Sequence, residues 1–250
     1  VLGNLFAGFS PMLSLELFPG LQNPYQLLLV VSASSYFILG ITRMCLPRYS
    51  PSQNEKVNFR EVIFDPGVLS FLLFGFVTMT IFNCVMSMMN IILRQRYYFQ
   101  DSTIGIFFSV ISIVGSLAMP LVSYLSSRFS SRRIAEVTLI VQALVIFVMA
   151  FSPAWIFVFM ACTRTAATNF VYSVVDSPML QSVTPSCRGS YSGLRICANY
   201  IGMSLGSVIS GIFIAQEQYA MLFIFTGFLA LVQNLVFRRS CVRHIHNYSR

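Results

Sequence analysis

Arg164 stands inside one apolar run, Ala154–Val175, and Asn83, Ser87 and Asn90 stand inside another, Gly67–Leu93. Guanidinium, amide and hydroxyl groups of this kind recognise small polar or anionic molecules by hydrogen bonding. No nucleophile–base arrangement or phosphate-cradling loop accompanies them. A guanidinium at bilayer depth costs at least ~2.5 kcal/mol, so it is kept where it faces a cavity, a partner or a bound molecule.

Spacing groups these residues. At about 100° per residue, Thr80, Asn83, Ser87 and Asn90 fall within about 80° of one another, and Arg94 continues that face. Such a stripe either lines a cavity or makes interhelical hydrogen bonds, the latter worth only ~0.6 kcal/mol each. Two Asn with Ser, Thr and Arg in register exceed what packing needs, which favours the cavity. Arg164 shares its face with Phe157, Met160, Ala161, Thr168, Val171 and Tyr172. The nearest acid on the same segment, Asp176, lies about 18 Å along the axis and about 120° around it, too far to pair. Glu16, Asp65, Asp101, Glu136 and Glu217 likewise fall near segment ends, which leaves no carboxylate at mid-depth in a complete segment. Arg164 therefore pairs with a helix outside this sequence, with backbone carbonyls, or with an anionic substrate group.

The elements that position these residues follow from composition. Of 250 residues, 56% are hydrophobic and 10% charged, with a mean hydropathy of +0.74. Soluble domains carry roughly 25% charged residues, so this is an all-α, polytopic transmembrane helix bundle. The ~10-residue alternating segments of a β-barrel are missing. Eight segments emerge: Val1–Leu15, Pro24–Thr42, Gly67–Leu93, Thr103–Ser126, Ile134–Phe151, Ala154–Val175, Gly189–Ala215 and Tyr219–Phe237. The chain opens at Val1 inside an apolar stretch, and the expectation is a fragment whose upstream membrane segments are missing.

A net charge of +8 could suggest nucleic acid, but its placement argues for a lipid bilayer. The alternate loops Arg43–Asp65, Ser126–Arg133 and Asp176–Arg195, with the tail after Phe237, hold 13 of the 16 Lys and Arg. By the positive-inside rule that set, including the C-terminus, is cytoplasmic. Tyr25, Tyr97, Tyr98, Trp155 and Tyr219 read as outer interfacial aromatics, and Tyr49 and Tyr191 as inner ones. The six cysteines form no C-x-x-C pair and read as free thiols. His244 and His246 lack further ligands, so they read as solvated; no metal or other cofactor is expected.

Gly202, Gly206 and Ser210 recur every four residues and let a neighbouring backbone approach closely. Gly105, Ser109, Ser112 and Ser116 repeat the pattern, ahead of a kink expected at Pro120. The loop Ser123-Tyr-Leu-Ser-Ser-Arg128-Phe-Ser-Ser-Arg132-Arg133 resembles the major facilitator superfamily motif Gly-x-Leu-Ala-Asp-Arg-x-Gly-Arg-Arg, in its copy between that family's eighth and ninth helices. Leu125 and the arginines match; Ser123, Ser127 and Ser130 replace the glycine, the aspartate and the second glycine. Asp176 through Pro185 to Arg188, Gly189 and Gly193 is similar to the family's connection between helices ten and eleven, and Gly202–Gly211 to its glycine-rich eleventh helix.

The resemblance covers nearly the whole chain, from part of the fifth helix to the twelfth. It implies four divisions: 1–43, the end of an N-terminal helix bundle; 44–66, a cytoplasmic linker; 67–238, a C-terminal six-helix bundle; and 239–250, a cytoplasmic tail. It also implies a transporter working by alternating access on a small solute, completed by missing N-terminal helices of the same protein. The family's seventh and tenth helices line its cavity, which here assigns Asn83, Ser87, Asn90, Arg164, Thr168 and Tyr172 to substrate binding. Arg128, Arg132, Asp176 and Arg188 would form the inner gate, although the motif's aspartate is lost at Ser127. The segment Gly3–Pro11 does not match the antiporter proline–glycine motif. A polytopic receptor that binds without translocating is the rival reading; a membrane enzyme would need mid-depth His, Asp or Glu.

Topology is testable by cysteine labelling of intact cells after the native thiols are replaced. A cysteine at Ser52 or Ser131 should resist an impermeant reagent applied from outside and react once the membrane is permeabilised.

Overall fold

The computed structural model describes residues 25–45, 65–181, 183 and 187–241. Among the described residues every regular element is helical: α1 (Tyr25–Met44), α2 (Pro66–Met86), α3 (Met89–Gln95), α4 (Asp101–Arg128), α5 (Ser131–Phe151), α6 (Ala154–Gln181), α7 (Arg188–Ala215) and α8 (Tyr219–Val236), ending in a wider π-type turn at Phe237–Cys241. Among the described residues six spans are long and apolar enough to cross a membrane: Pro66–Gln95, Asp101–Ser126, Ser131–Phe151, Ala154–Asp176, Arg188–Ala215 and Tyr219–Arg239. The protein is a multi-pass membrane protein. The segment Val1–Leu15, most of the linker and the tail with both histidines lie outside the described residues.

The chain divides into two compact units. One combines residues 1–56 with 100–112; the other holds 57–99 and 113–250. In the first, α1 is a 20-residue helix, and in the first turns of α4 Ser109 and Ser112 donate back to the carbonyls of Gly105 and Phe108. The second unit carries the candidate residues.

Helix α2 starts where Asp65 caps it. The extended Asp65 accepts from the Gly67 and Val68 amides at 2.7 and 3.3 Å, and Pro66 occupies the first turn, where its missing N–H costs nothing. The single segment expected over Gly67–Leu93 is interrupted at Ser87–Met88, where Met88 leaves helical geometry (φ −113°, ψ 14°) before α3 resumes. Other boundaries lengthen: α6 runs on to Gln181, so Asp176 lies within the helix rather than in a loop, and Arg195 lies within α7. Tyr191, read as an inner interfacial aromatic, stands in the first turn of α7. Its ring is fully buried in a cluster with Phe71, Phe74, Leu139, Val171 and Phe237.

Close packing of α2 against α7 organises the bundle. The buried stripe of α7 is Tyr191, Gly202, Gly206, Ser210 and Ile214, and from 202 onward it keeps a four-residue step. A Cβ at Gly202 would run into the Phe76 carbonyl oxygen; one at Gly206 would lie 2.5 Å from the Thr80 oxygen and 3.0 Å from the Cys84 nitrogen. These obstacles are backbone atoms, which cannot rotate away. By contrast, nothing lies within 4 Å of a Cβ at Gly211.

The outer ends are tied by side chains following α3. Arg96 Nη2 donates to the Ala150 carbonyl at 2.7 Å, and the Tyr97 hydroxyl to that of Ser152 at 2.9 Å, satisfying the carbonyl end of α5. Tyr219 donates to Gln95 Oε1 at 2.8 Å. Burial raises the Tyr97 phenol above its ordinary pKa, with Arg96 and the Ser152 bond pulling it back in part, so it stays a neutral donor.

Gly206→Ala should destabilise the bundle by about 1–3 kcal/mol through overpacking, whereas Gly211→Ala should be neutral or slightly stabilising. Unfolding of the purified protein in mixed detergent micelles measures both.

Candidate functional site

Arg164 sits midway along α6 and is 1% exposed. Its Nη2 lies 3.4 Å from the carbonyl oxygens of both Ile81 and Phe82 on α2, and its guanidinium carbon lies 5.6 Å from the centre of the Phe82 ring. Nε has no hydrogen-bond partner among the described residues. At 3.4 Å these bonds are at the weak end of the range. Of the three pairings open in the sequence, carbonyls are the one seen, and they leave the group under-satisfied.

Around it, Thr168 is buried and donates to the Arg164 carbonyl at 3.0 Å. Tyr172, one turn further, donates to Met79 Sδ at 3.2 Å. Arg164, Thr168, Tyr172 and Asp176 thus step every four residues along α6, and all but the last meet α2 or their own helix. Asp176 pairs with Arg195 of α7.

The polar stripe of α2 faces α7. Asn83 Nδ2 donates to the Met203 carbonyl at 2.6 Å and to Ser207 Oγ at 2.5 Å. Ser87 Oγ donates to the Asn83 carbonyl at 2.7 Å and lies 2.9 Å from Ser210 Oγ. Asn83 and Ser87 are therefore joined to the glycine-rich helix, while Asn90, on α3 beyond the break, is exposed. The structure brings Arg164, Thr168 and Tyr172 together against α2, and Asn83 with Ser87 against α7.

The four residues expected at the inner gate do not form one cluster. Arg132 Nε donates to Glu136 Oε1 at 2.9 Å, one turn along α5. Arg128 lies over the Tyr124 ring at 4.8 Å, and Arg188 Nε donates to the Val183 carbonyl at 3.3 Å. Asp176 has Arg195 instead, a residue the loop count had included without a role.

Sequence reasoning also passed over two amides inside apolar runs, Asn169 half-buried and Gln233 buried. Asn169 Nδ2 donates to the Gly115 carbonyl at 3.1 Å, joining α6 to α4, and a Cβ at Gly115 would strike it. Gln233 Nε2 donates to Thr78 Oγ1 at 2.7 Å, joining α8 to α2. The signal was available: an amide inside an apolar run is subject to the same desolvation argument that singled out Arg164.

This arrangement has relatives. The family model of the Major Facilitator Superfamily matches residues 71–239, from within α2 to the turn after α8. The chain belongs to the major facilitator superfamily. It is 25% identical over 184 residues to an uncharacterized transporter of Buchnera aphidicola from Schizaphis graminum, a match covering 73% of this chain and 44% of the relative. It is 23% identical over 180 residues to an uncharacterized MFS-type transporter of Bacillus subtilis, covering 72% of this chain and 43% of the relative. The chain thus spans less than half the length of the curated relatives it matches.

The Asp176–Arg195 pair is partly exposed, with side-chain exposures of 41% and 21%, so its contribution to stability is at most ~1 kcal/mol. Asp176→Asn should accordingly leave the unfolding midpoint in detergent almost unchanged. A loss of several kcal/mol would show that the pair is a structural element of the bundle.

Proposed function

We propose that the chain is part of a transporter moving a small solute, anionic or amphiphilic, across the bilayer by alternating access. Family membership supports transport. The observation that carries the substrate reading is the under-satisfied Arg164 guanidinium, buried at mid-helix on weak carbonyl bonds. In this arrangement Arg164 is closed off, so a solute reaches it only when α2 and α6 move apart. Opening costs two long hydrogen bonds, which an anion's charge-assisted bonds to the guanidinium more than replace. Asn83, Ser87, Asn90, Thr168 and Tyr172 complete the substrate-facing set in this reading. Asp176, Arg128, Arg132 and Arg188 gate the cytoplasmic end, with Arg195 holding Asp176. The relatives' greater length supports a second set of helices in the full-length protein that forms the opposite cavity wall. The charge asymmetry of the loops supports a cytoplasmic C-terminus, in a protein of the plasma membrane.

The test is uptake or efflux of a panel of radiolabelled organic anions by vesicles carrying the full-length protein. Saturable flux is expected with the natural residue. It should fall at least about tenfold in Arg164→Ala and less in Arg164→Lys, which keeps the charge and loses the planar fork, with membrane levels unchanged. Binding without flux would identify a receptor. Normal flux with Ala at 164 would make the arginine structural.

A further inference from the structure

A second concentration of positive charge lies away from Arg164, at the end of the bundle where α4 turns into α5 and α8 leaves the membrane. Arg128 closes α4, Arg132 and Arg133 open α5, and Arg238 and Arg239 follow α8; all five are exposed. Two of them, Arg132 and Arg238, meet at one acid. Glu136 accepts from Arg132 Nε at 2.9 Å through Oε1 and meets Arg238 Nε at 3.9 Å through Oε2. A single carboxylate thus holds guanidinium groups from two elements about one residue's reach apart, and it can neutralise only one of five charges. Each contact uses the Nε edge of a group that has five N–H donors in a planar fork.

Around the charges the surface is apolar. Phe129 is 54% exposed in the α4–α5 turn, and Tyr124, under Arg128, is 55% exposed. Three membrane spans end or begin at this level: Asp101–Ser126, Ser131–Phe151 and Tyr219–Arg239. The arginines therefore stand at the depth of lipid headgroups, with aromatic rings beside them at the depth of the upper acyl chains. A soluble anion would meet the charge without the apolar floor; a phospholipid meets both.

We propose that Arg132, Arg133, Arg238 and Arg239, organised by Glu136 and flanked by Arg128 and Phe129, form a seat for the phosphate of an anionic phospholipid. Guanidinium forks match phosphate oxygens in pairs, so the seat selects charge and geometry together. It joins the start of α5 to the end of α8 through the lipid as well as through Glu136. The proposal does not depend on what the protein transports.

Native mass spectrometry of the delipidated full-length protein in detergent, titrated with phosphatidylglycerol or phosphatidylcholine, reads the preference directly. The natural protein should retain phosphatidylglycerol over phosphatidylcholine by roughly fivefold or more, in line with the attraction of clustered basic residues to anionic lipid. Replacing Arg132, Arg133, Arg238 and Arg239 with Gln should remove that preference. Replacing Arg43, Arg48, Lys56 and Arg60 with Gln removes the same charge elsewhere and should leave it. The pair R133Q/R239Q spares both Glu136 contacts and should lower the preference part-way, which keeps the test open if the fourfold variant fails to fold. Equal loss in the two fourfold variants would mean bulk charge and overturn the seat. Displacement of the lipid by millimolar inorganic phosphate would mean a free-anion site and overturn the lipid.

Discussion

Lipid offers no hydrogen bonds, so every polar group at bilayer depth must be satisfied within the protein, and here α2 supplies most of the partners. Between Phe76 and Ser87 it presents backbone to Gly202 and Gly206 of α7, Thr78 to Gln233 of α8, Met79 to Tyr172 of α6, and the Ile81 and Phe82 carbonyls to Arg164. Asn83 and Ser87 then return to α7. Roughly three turns of one helix thus anchor three others, and each anchor is a polar or steric match rather than a hydrophobic contact. That is the expected currency where lipid tails compete equally for apolar side chains.

The sequence made much of this legible because the same physics writes both. Apolar run length and the placement of Lys and Arg specify spans and their alternation. The four-residue glycine step specifies the close helix contact, and the structure shows the backbone it meets. Partner identity was not legible. Nothing in the spacing of Thr80, Asn83, Ser87 and Asn90 says which helix that face meets, since a helical face is a one-dimensional pattern and a neighbour is a three-dimensional fact. The interruption at Ser87–Met88 carries no Pro or Gly, so it leaves no trace in composition. Tyr191 reads like a boundary aromatic by position; that its ring is also buried among Phe71, Phe74 and Phe237 depends on neighbours that spacing does not name.

The interruption also divides what α2 and α3 hold. Inward of Ser87 lie the contacts with α6, α7 and α8; outward of it, Gln95, Arg96 and Tyr97 tie α3 and its following turn to Tyr219 and the carbonyl end of α5. The two parts are anchored to different neighbours and joined where helical geometry lapses.

The contacts of α2 are also unequal, and their inequality ranks what can yield. The glycine contacts with α7 are backbone against backbone, and separating them exposes packed surface along several turns. The Arg164 contacts are two bonds at 3.4 Å from one nitrogen, with Nε left over. In a low dielectric an under-satisfied charge is the least content group in the bundle and gains most from a new partner. Separation of α2 from α6 therefore gives up less than separation of α2 from α7. In the function proposed above, substrate recognition at Arg164 and mobility at the α2–α6 contact would be the same feature. The weakness of those two hydrogen bonds is what would let the guanidinium exchange carbonyl oxygens for the oxygens of a bound anion.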